Sequence, residues 1–138
     1  MKQEIIALNL VDMYHAGQKY GDAPYWHHLQ DVAVSVAKAG GDDAQLAIAW
    51  LHDCLEDTSC TGVVLLENGI SMRVVSAVVA MSKLEGESYE DYIKKVRSNP
   101  DASFVKKHDT LCNLTQSLRE GNSKRVKKYA KQLLLLEE

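Results

Sequence analysis

At 138 residues, 46% of them hydrophobic, the chain has the length and apolar content of one ordinary domain with a real core, residues 1–138, with no room for a second. A net charge of −3 argues against a whole-protein electrostatic footprint for DNA or a membrane surface, and no apolar run approaches the ~18 residues that a membrane span needs. Cys54, Cys60 and Cys112 are odd in number and lack Cys-x-x-Cys spacing, so neither a disulfide framework nor a structural zinc cluster is suggested. With no targeting signal in the opening residues, the expectation is a cytoplasmic protein with reduced thiols and a small-molecule partner.

The chain opens with a mixed run containing Asn9 and Asp12, to which no element is assigned. Leu29, Val32, Ala33, Val36 and Ala37 then recur at helical spacing, and Gly40-Gly41 supplies the stop. Asp42 with Gln45 reads as a capping box opening a helix through Ala44, Ala47, Ile48 and Leu51, which runs into His52-Asp53. Ser71 opens a helix with Val74, Val75, Val78 and Val79 inward, and Ser88 with Asp91 caps a short one carrying Tyr92 and Val96, ended by Asn99-Pro100. Asp101 begins a longer helix through Val105, Cys112 and Leu118, Gly121 stops it, and Asn122 caps a last helix ending in Leu133 to Leu136. Val63 to Leu66 and Val74 to Val79 are strand-like in composition but do not alternate with period two, so the expected fold class is all-α.

The chemistry gathers at a helix end. His52-Asp53 closes an apolar helical run, Glu56-Asp57 follows within a turn or so, and Asp109 lies downstream with Asn113 four residues on. With His28 upstream, two imidazoles and two carboxylates form a mixed nitrogen and oxygen set for one divalent ion; manganese, iron, cobalt, magnesium and zinc all suit it. Such an ion lowers the pKa of water, which makes hydrolysis the natural reaction. If the helix continues through the site, Glu56 and Asp57 face the same cavity and can orient water or protonate a leaving group, while Asn113 sits one turn from Asp109 where sugar hydroxyls could be held. His15, His27 and His108 are read as structural, with His27 a rival to His28; Cys112 as a core thiol; Trp26 and Trp50 as packing; and the basic run Lys124 to Lys131 as a solvated helix face ahead of a phosphate or RNA contact.

Across positions 14 to 118 the sequence resembles the HD-domain phosphohydrolases, in particular the hydrolase half of RelA/SpoT homologues and the small alarmone hydrolases. The likeness is carried by His15-Ala16-Gly17-Gln18, Pro24-Tyr25-Trp26-His27-His28, Leu51-His52-Asp53-Cys54-Leu55-Glu56-Asp57-Thr58, and Val105-Lys106 through Asp109 to Asn113-Leu114. The resemblance implies a compact helical bundle holding one manganese ion on His28, His52, Asp53 and Asp109, with Glu56-Asp57 assisting water attack and Asn113 contacting ribose. The implied reaction removes pyrophosphate from the ribose 3′ oxygen of guanosine tetra- and pentaphosphate. Lys19, Lys83 and Lys106 are then candidate phosphate contacts, and Lys107 is a surface lysine. Two departures are visible: the family's base-bracketing Arg-Lys pair is replaced by Lys19-Tyr20 in a shorter loop, and Leu29 stands where a proline is usual. The altered loop motivates a second expectation, hydrolysis of an adenosine alarmone, a pyrophosphorylated RNA 3′ end or a nucleoside monophosphate. A non-enzymatic nucleotide sensor is the third, and the intact acidic pair argues against it. The sequence carries no signal of an oligomeric state.

Overall fold

Side-chain caps set most helix starts in the computed structural model, which describes residues 2–20, 23–24 and 26–138, the side chains at 19, 20 and 24 excepted. Asp42 and Gln45 form the reciprocal capping box of α3 (Asp43–Leu51), at 2.9 and 3.1 Å. Thr61, Ser71, Ser88, Asn99 and Asn122 each accept the N–H three residues on, opening α5 (Gly62–Glu67), α6 (Met72–Met81), α7 (Tyr89–Arg97), α8 (Pro100–Arg119) and α9 (Ser123–Glu137). α2 (Trp26–Lys38) ends in a left-handed Gly40, with Gly40 N–H on the Ala37 carbonyl and Gly41 N–H on that of Val36. A Cβ at Gly41 would collide with the Val36 side chain and lie 2.9 Å from its carbonyl oxygen, so the stop needs glycine at both positions.

α3 is the hub. Its apolar run is buried on nearly every side, and α1 (Lys2–Tyr14), α2, α6 and α8 pack around it. Ala7, Leu10 and Val11 seat α1, while the Asp43 carboxylate accepts the N–H groups of Gln3 and Glu4 at 2.9 and 3.1 Å and caps that helix from outside. Leu29, Val32, Val36, Ile48, Leu51, Val74, Val78, Val96 and Val105 are fully buried; truncating any one of the leucines or isoleucines to alanine removes about 2–5 kcal/mol.

The all-α class holds, with nine helices among the described residues and one small addition, an antiparallel pair β1 (Lys19–Tyr20) and β2 (Ala23–Pro24). Four local expectations change. The opening run is a helix, α1, whose inward triplet is blurred in sequence by exposed Ile5, Leu8 and Met13. α8 begins one residue early because Asn99 caps it and Pro100, which has no N–H to lose, is suited to the first turn. Val79 is 44% exposed, facing a cleft where it was expected in the core. Trp26 is 47% exposed and lines a cavity, where packing was expected; Trp50 is buried and donates from Nε1 to Glu4 Oε2 at 3.2 Å.

Candidate metal centre

Three helices converge on one buried point. α2 carries His28 on the same inward face as Leu29 and Val32; α3 delivers His52 at its C-cap; α8 delivers Asp109 on the stripe of Ala102, Val105 and Asn113. A carboxylate on an inward helical stripe, where packing wants an apolar residue, is the sequence signal that Asp109 has a task. One ligand-type atom each of His28, His52 and Asp109 lies within 4.8 Å of the others. His28 Nε2 is 3.0 Å from Asp109 Oδ1, and His52 Nε2 is 3.3 Å from that same oxygen and 3.2 Å from Asp53 Oδ2. His27, one position away, is exposed and stands edge-on to Trp26.

His52 is the most informative member. Its Nδ1 lies 2.6 Å from the Ala49 carbonyl, which can only accept, so Nδ1 carries a proton and Nε2 is the atom turned to the carboxylates. That Nε2 is fully buried and has no aligned hydrogen bond. As a neutral ring it presents a lone pair to two carboxylates, an arrangement that calls for a cation between them; as imidazolium it is a donor without an aligned acceptor. Burial alone would lower the His52 pKa, but Asp53 and Asp109 hold it well above its ordinary value. Burial would likewise raise Asp109, whereas Lys106 and His52 hold its carboxyl well below the usual range. The donors and their charges fit a divalent ion.

Lys106 points inward, donating to Asp109 Oδ2 at 3.0 Å with its side chain only 14% exposed. Burial disfavours its charge, yet Asp109 keeps the ammonium protonated, its pKa above the ordinary value. Asn113 Nδ2 donates to Asp109 Oδ1 at 3.2 Å. Lys107 reaches toward Glu137 at 3.5 Å on the outside. Lys83 is exposed, and the Lys19 side chain lies outside the described residues.

The helix does not continue unbroken through the site. It pauses at His52-Asp53 and resumes as α4 (Cys54–Asp57), which carries the acid pair. Glu56 remains accessible overall, with its carboxylate drawn under the next turn, where it accepts the Lys83 N–H. Partial burial raises its pKa; the Lys83 bond opposes this, and Asp53 adds to it. Glu56 and Asp57 border a cavity of about 600 Å³ with Leu55, Val79, Lys83 and Leu84. A larger one, about 970 Å³, lies between α1 and α2 against Val11, His15, Gln18, Trp26 and Gln30; none of the three converging ligand-type residues lines either cavity, and the smaller one is the one bordered by the acid pair.

Gln18 had no role assigned from sequence. Its Nε2 donates to the Asp57 carbonyl at 3.0 Å while its Oε1 lies 2.8 Å from His15 Nδ1, so the His15-Gln18 pair braces the end of the acid helix. His108 is tied to Ser35 Oγ at 2.6 Å, and burial lowers its pKa, which leaves it neutral and structural. Burial pushes the Cys54 thiol up to about 12 and that of Cys112 to about 11, so neither supplies a thiolate nucleophile.

Known proteins are similar to this chain in sequence and fold. The chain is 29% identical over 133 residues to a guanosine-3′,5′-bis(diphosphate) 3′-pyrophosphohydrolase of Aquifex aeolicus, which covers 86% of this chain and 19% of that protein. It is 32% identical over 120 residues to a Mycobacterium leprae protein named "Probable GTP pyrophosphokinase", covering 78% of this chain and 15% of that one. The chain thus spans less than a fifth of the length of the curated relatives it matches. Its fold is similar to the solved structure of a metazoan ortholog of SpoT described as hydrolysing ppGpp, with a TM-score of 0.80 at 20% identity, over 99% of this chain and 86% of that one. The HD domain model matches residues 7–134, and the chain belongs to the HD domain family.

Proposed function

We propose that this domain is a divalent-metal phosphohydrolase that releases pyrophosphate from the 3′ position of guanosine alarmones, with His28, His52, Asp53 and Asp109 holding the ion and manganese its preferred identity. The observation that carries the metal assignment is the fixed His52 ring, whose buried Nε2 faces Asp53 and Asp109 without an aligned hydrogen bond. A divalent ion supplies Lewis acidity and a lowered water pKa there. The substrate assignment is supported by the alarmone hydrolase named among the relatives and by the sequence segments around the site.

The chain's own side chains divide the remaining work. Glu56, with its raised carboxyl pKa, accepts a proton from the attacking water and returns it to the leaving 3′ oxygen, and Asp57 orients the water. Asn113 offers its amide to the ribose hydroxyls beside Asp109. Lys83 at the 600 Å³ cleft meets the pyrophosphate oxygens, and Lys19 is a further candidate by sequence; Lys106, a candidate phosphate contact, balances the charge of the buried Asp109 carboxylate. The cleft is of the size that ordinary ligands fill. The described residues include no helix long and apolar enough to cross a membrane.

The test is a nucleotide panel offered to the manganese-loaded protein, with products resolved. Pyrophosphate and GDP from guanosine tetraphosphate are expected; release of single phosphates would overturn the reading. Because Lys19-Tyr20 lacks the guanidinium fork that reads a purine edge, guanosine and adenosine 3′-pyrophosphates are expected to have kcat/KM values within about tenfold, or ~1.4 kcal/mol. A thousandfold guanosine preference would mean that another part of the pocket reads the base.

A further inference from the structure

The contact between Glu56 and the Lys83 N–H belongs to a longer device. A peptide unit is planar and trans, so the Ser82 carbonyl and the Lys83 N–H are the two ends of one rigid plate and point in opposite directions. The N–H end meets Glu56 Oε1. The carbonyl end is held by α7: Lys95 Nζ donates to Ser82 O at 2.9 Å. Three residues earlier on α7, Tyr92 donates its hydroxyl proton to the preceding carbonyl, Met81 O, at 2.8 Å. Two consecutive carbonyls are thus gripped from one helical face, which fixes the direction of the N–H that follows. The far side is tied as well, because Lys95 also donates to Glu87 Oε1 at 2.9 Å, and that oxygen accepts the Leu84 N–H at 3.1 Å.

We propose that Lys95 is a positioning residue for Glu56: its ammonium on the Ser82 carbonyl locks the 82–83 peptide so that the N–H holds the Glu56 carboxylate at the cleft. The same charge on the oxygen end polarises the peptide and strengthens the N–H as a donor, as in any chain of hydrogen bonds. Glu87 completes the turn by holding Lys95 in place. The kinetic consequence rests on the role proposed for Glu56; the contact itself does not.

The test therefore has one readout free of any substrate, the Lys83 amide proton in a ¹⁵N–¹H correlation spectrum. It is expected downfield in the wild type and displaced upfield in Glu56→Ala, in Lys95→Met and, to a lesser degree, in Glu87→Gln. Lys95→Arg keeps it in place, and so does Lys94→Met on the exposed side of α7. With the manganese-loaded protein and guanosine tetraphosphate, Lys95→Met lowers kcat by about tenfold with KM within about twofold, and Lys95→Arg restores kcat. Lys95→Gln serves where Lys95→Met does not fold. An unmoved Lys83 amide in the folded Lys95 variant overturns the proposal, and so does a lost kcat with the amide in place. A displaced amide in a protein that hydrolyses nothing on the panel supports the contact and sinks the hydrolase reading instead.

Discussion

Two clusters of carboxylates and cations in this molecule share nearly the same distances and sit in opposite surroundings. On the surface, Arg73 donates to Asp101 at 2.9 and 3.0 Å and to Asp42 at 2.9 Å, tying α6 to the starts of α3 and α8 with its side chain half in water. In the interior, Asp109 gathers His28 and Lys106 at 3.0 Å, Asn113 at 3.2 Å and His52 at 3.3 Å. The surface triad is satisfied by its own members and solvent, which is all that a structural clasp requires. The interior cluster is buried around Asp109, and it leaves His52 Nε2 facing Asp53 and Asp109 without an aligned hydrogen bond. Burying charge is costly unless it is well paired, so an arrangement of this kind points to a ligand, whereas equal distances on the surface point to nothing beyond stability.

The largest expected effect breaks the interior cluster. Asp109→Ala should abolish metal binding and hydrolysis together and should also leave Lys106 buried without its carboxylate, a loss of about 3–5 kcal/mol in urea unfolding. Near-normal metal content in the purified variant would remove Asp109 from the site. The same assay separates neighbours on α2: His28→Ala is expected to lose the metal and His27→Ala to keep it.

Manganese itself sharpens the comparison. At a hundred times its dissociation constant, an ion bound only by the folded state adds about 2.7 kcal/mol. Wild type and Arg73→Ala should gain this equally on titration, and Asp109→Ala should gain none. Equal stabilisation of all three proteins would place the ion elsewhere.

Glu56→Gln probes the border between the two kinds of site, a carboxylate partly in water beside the buried cluster. The amide keeps shape and polarity without the titrating group, so kcat is expected to fall by roughly 10²-fold with the metal retained. Activity close to wild type would move proton transfer to Asp57.

The same contrast explains what was legible in the sequence. Caps and stops act over three to five residues, so Asp42 with Gln45, Ser71, Ser88, Gly40-Gly41 and Asn122 could be read directly. The candidate ligands are marked in the sequence by His52-Asp53 closing an apolar run, by Glu56-Asp57 just beyond it and by Asp109 with Asn113 four residues on. What depends on which face a neighbour covers was not legible: Val79 follows the periodicity of a core residue yet lines a cleft, and Trp26 fits a packing role yet borders a cavity. Gln18, Lys95 and the Gln132 that bridges Thr110 Oγ1 to Tyr89 act through contacts 22 to 43 residues away or through backbone carbonyls, and no local pattern marks them.

The smallest effect belongs to the surface triad. Arg73→Ala removes exposed pairs and is expected to cost below about 1 kcal/mol. Its pH dependence carries more information than its size. The Arg73 guanidinium, helped by Gln45 and opposed by partial burial, holds the Asp101 carboxyl below its ordinary value. A carboxylate with a depressed pKa in the folded state contributes stability that is fully present above the ordinary Asp range, and this is lost as pH falls through the folded-state value. The stability difference between wild type and Arg73→Ala, followed by urea midpoints, should therefore stay flat from about pH 8 to pH 5 and shrink below about pH 4. A difference that widens on acidification would reverse the sign and show that Arg73 stabilises by packing its stem, with Asp101 titrating independently of it.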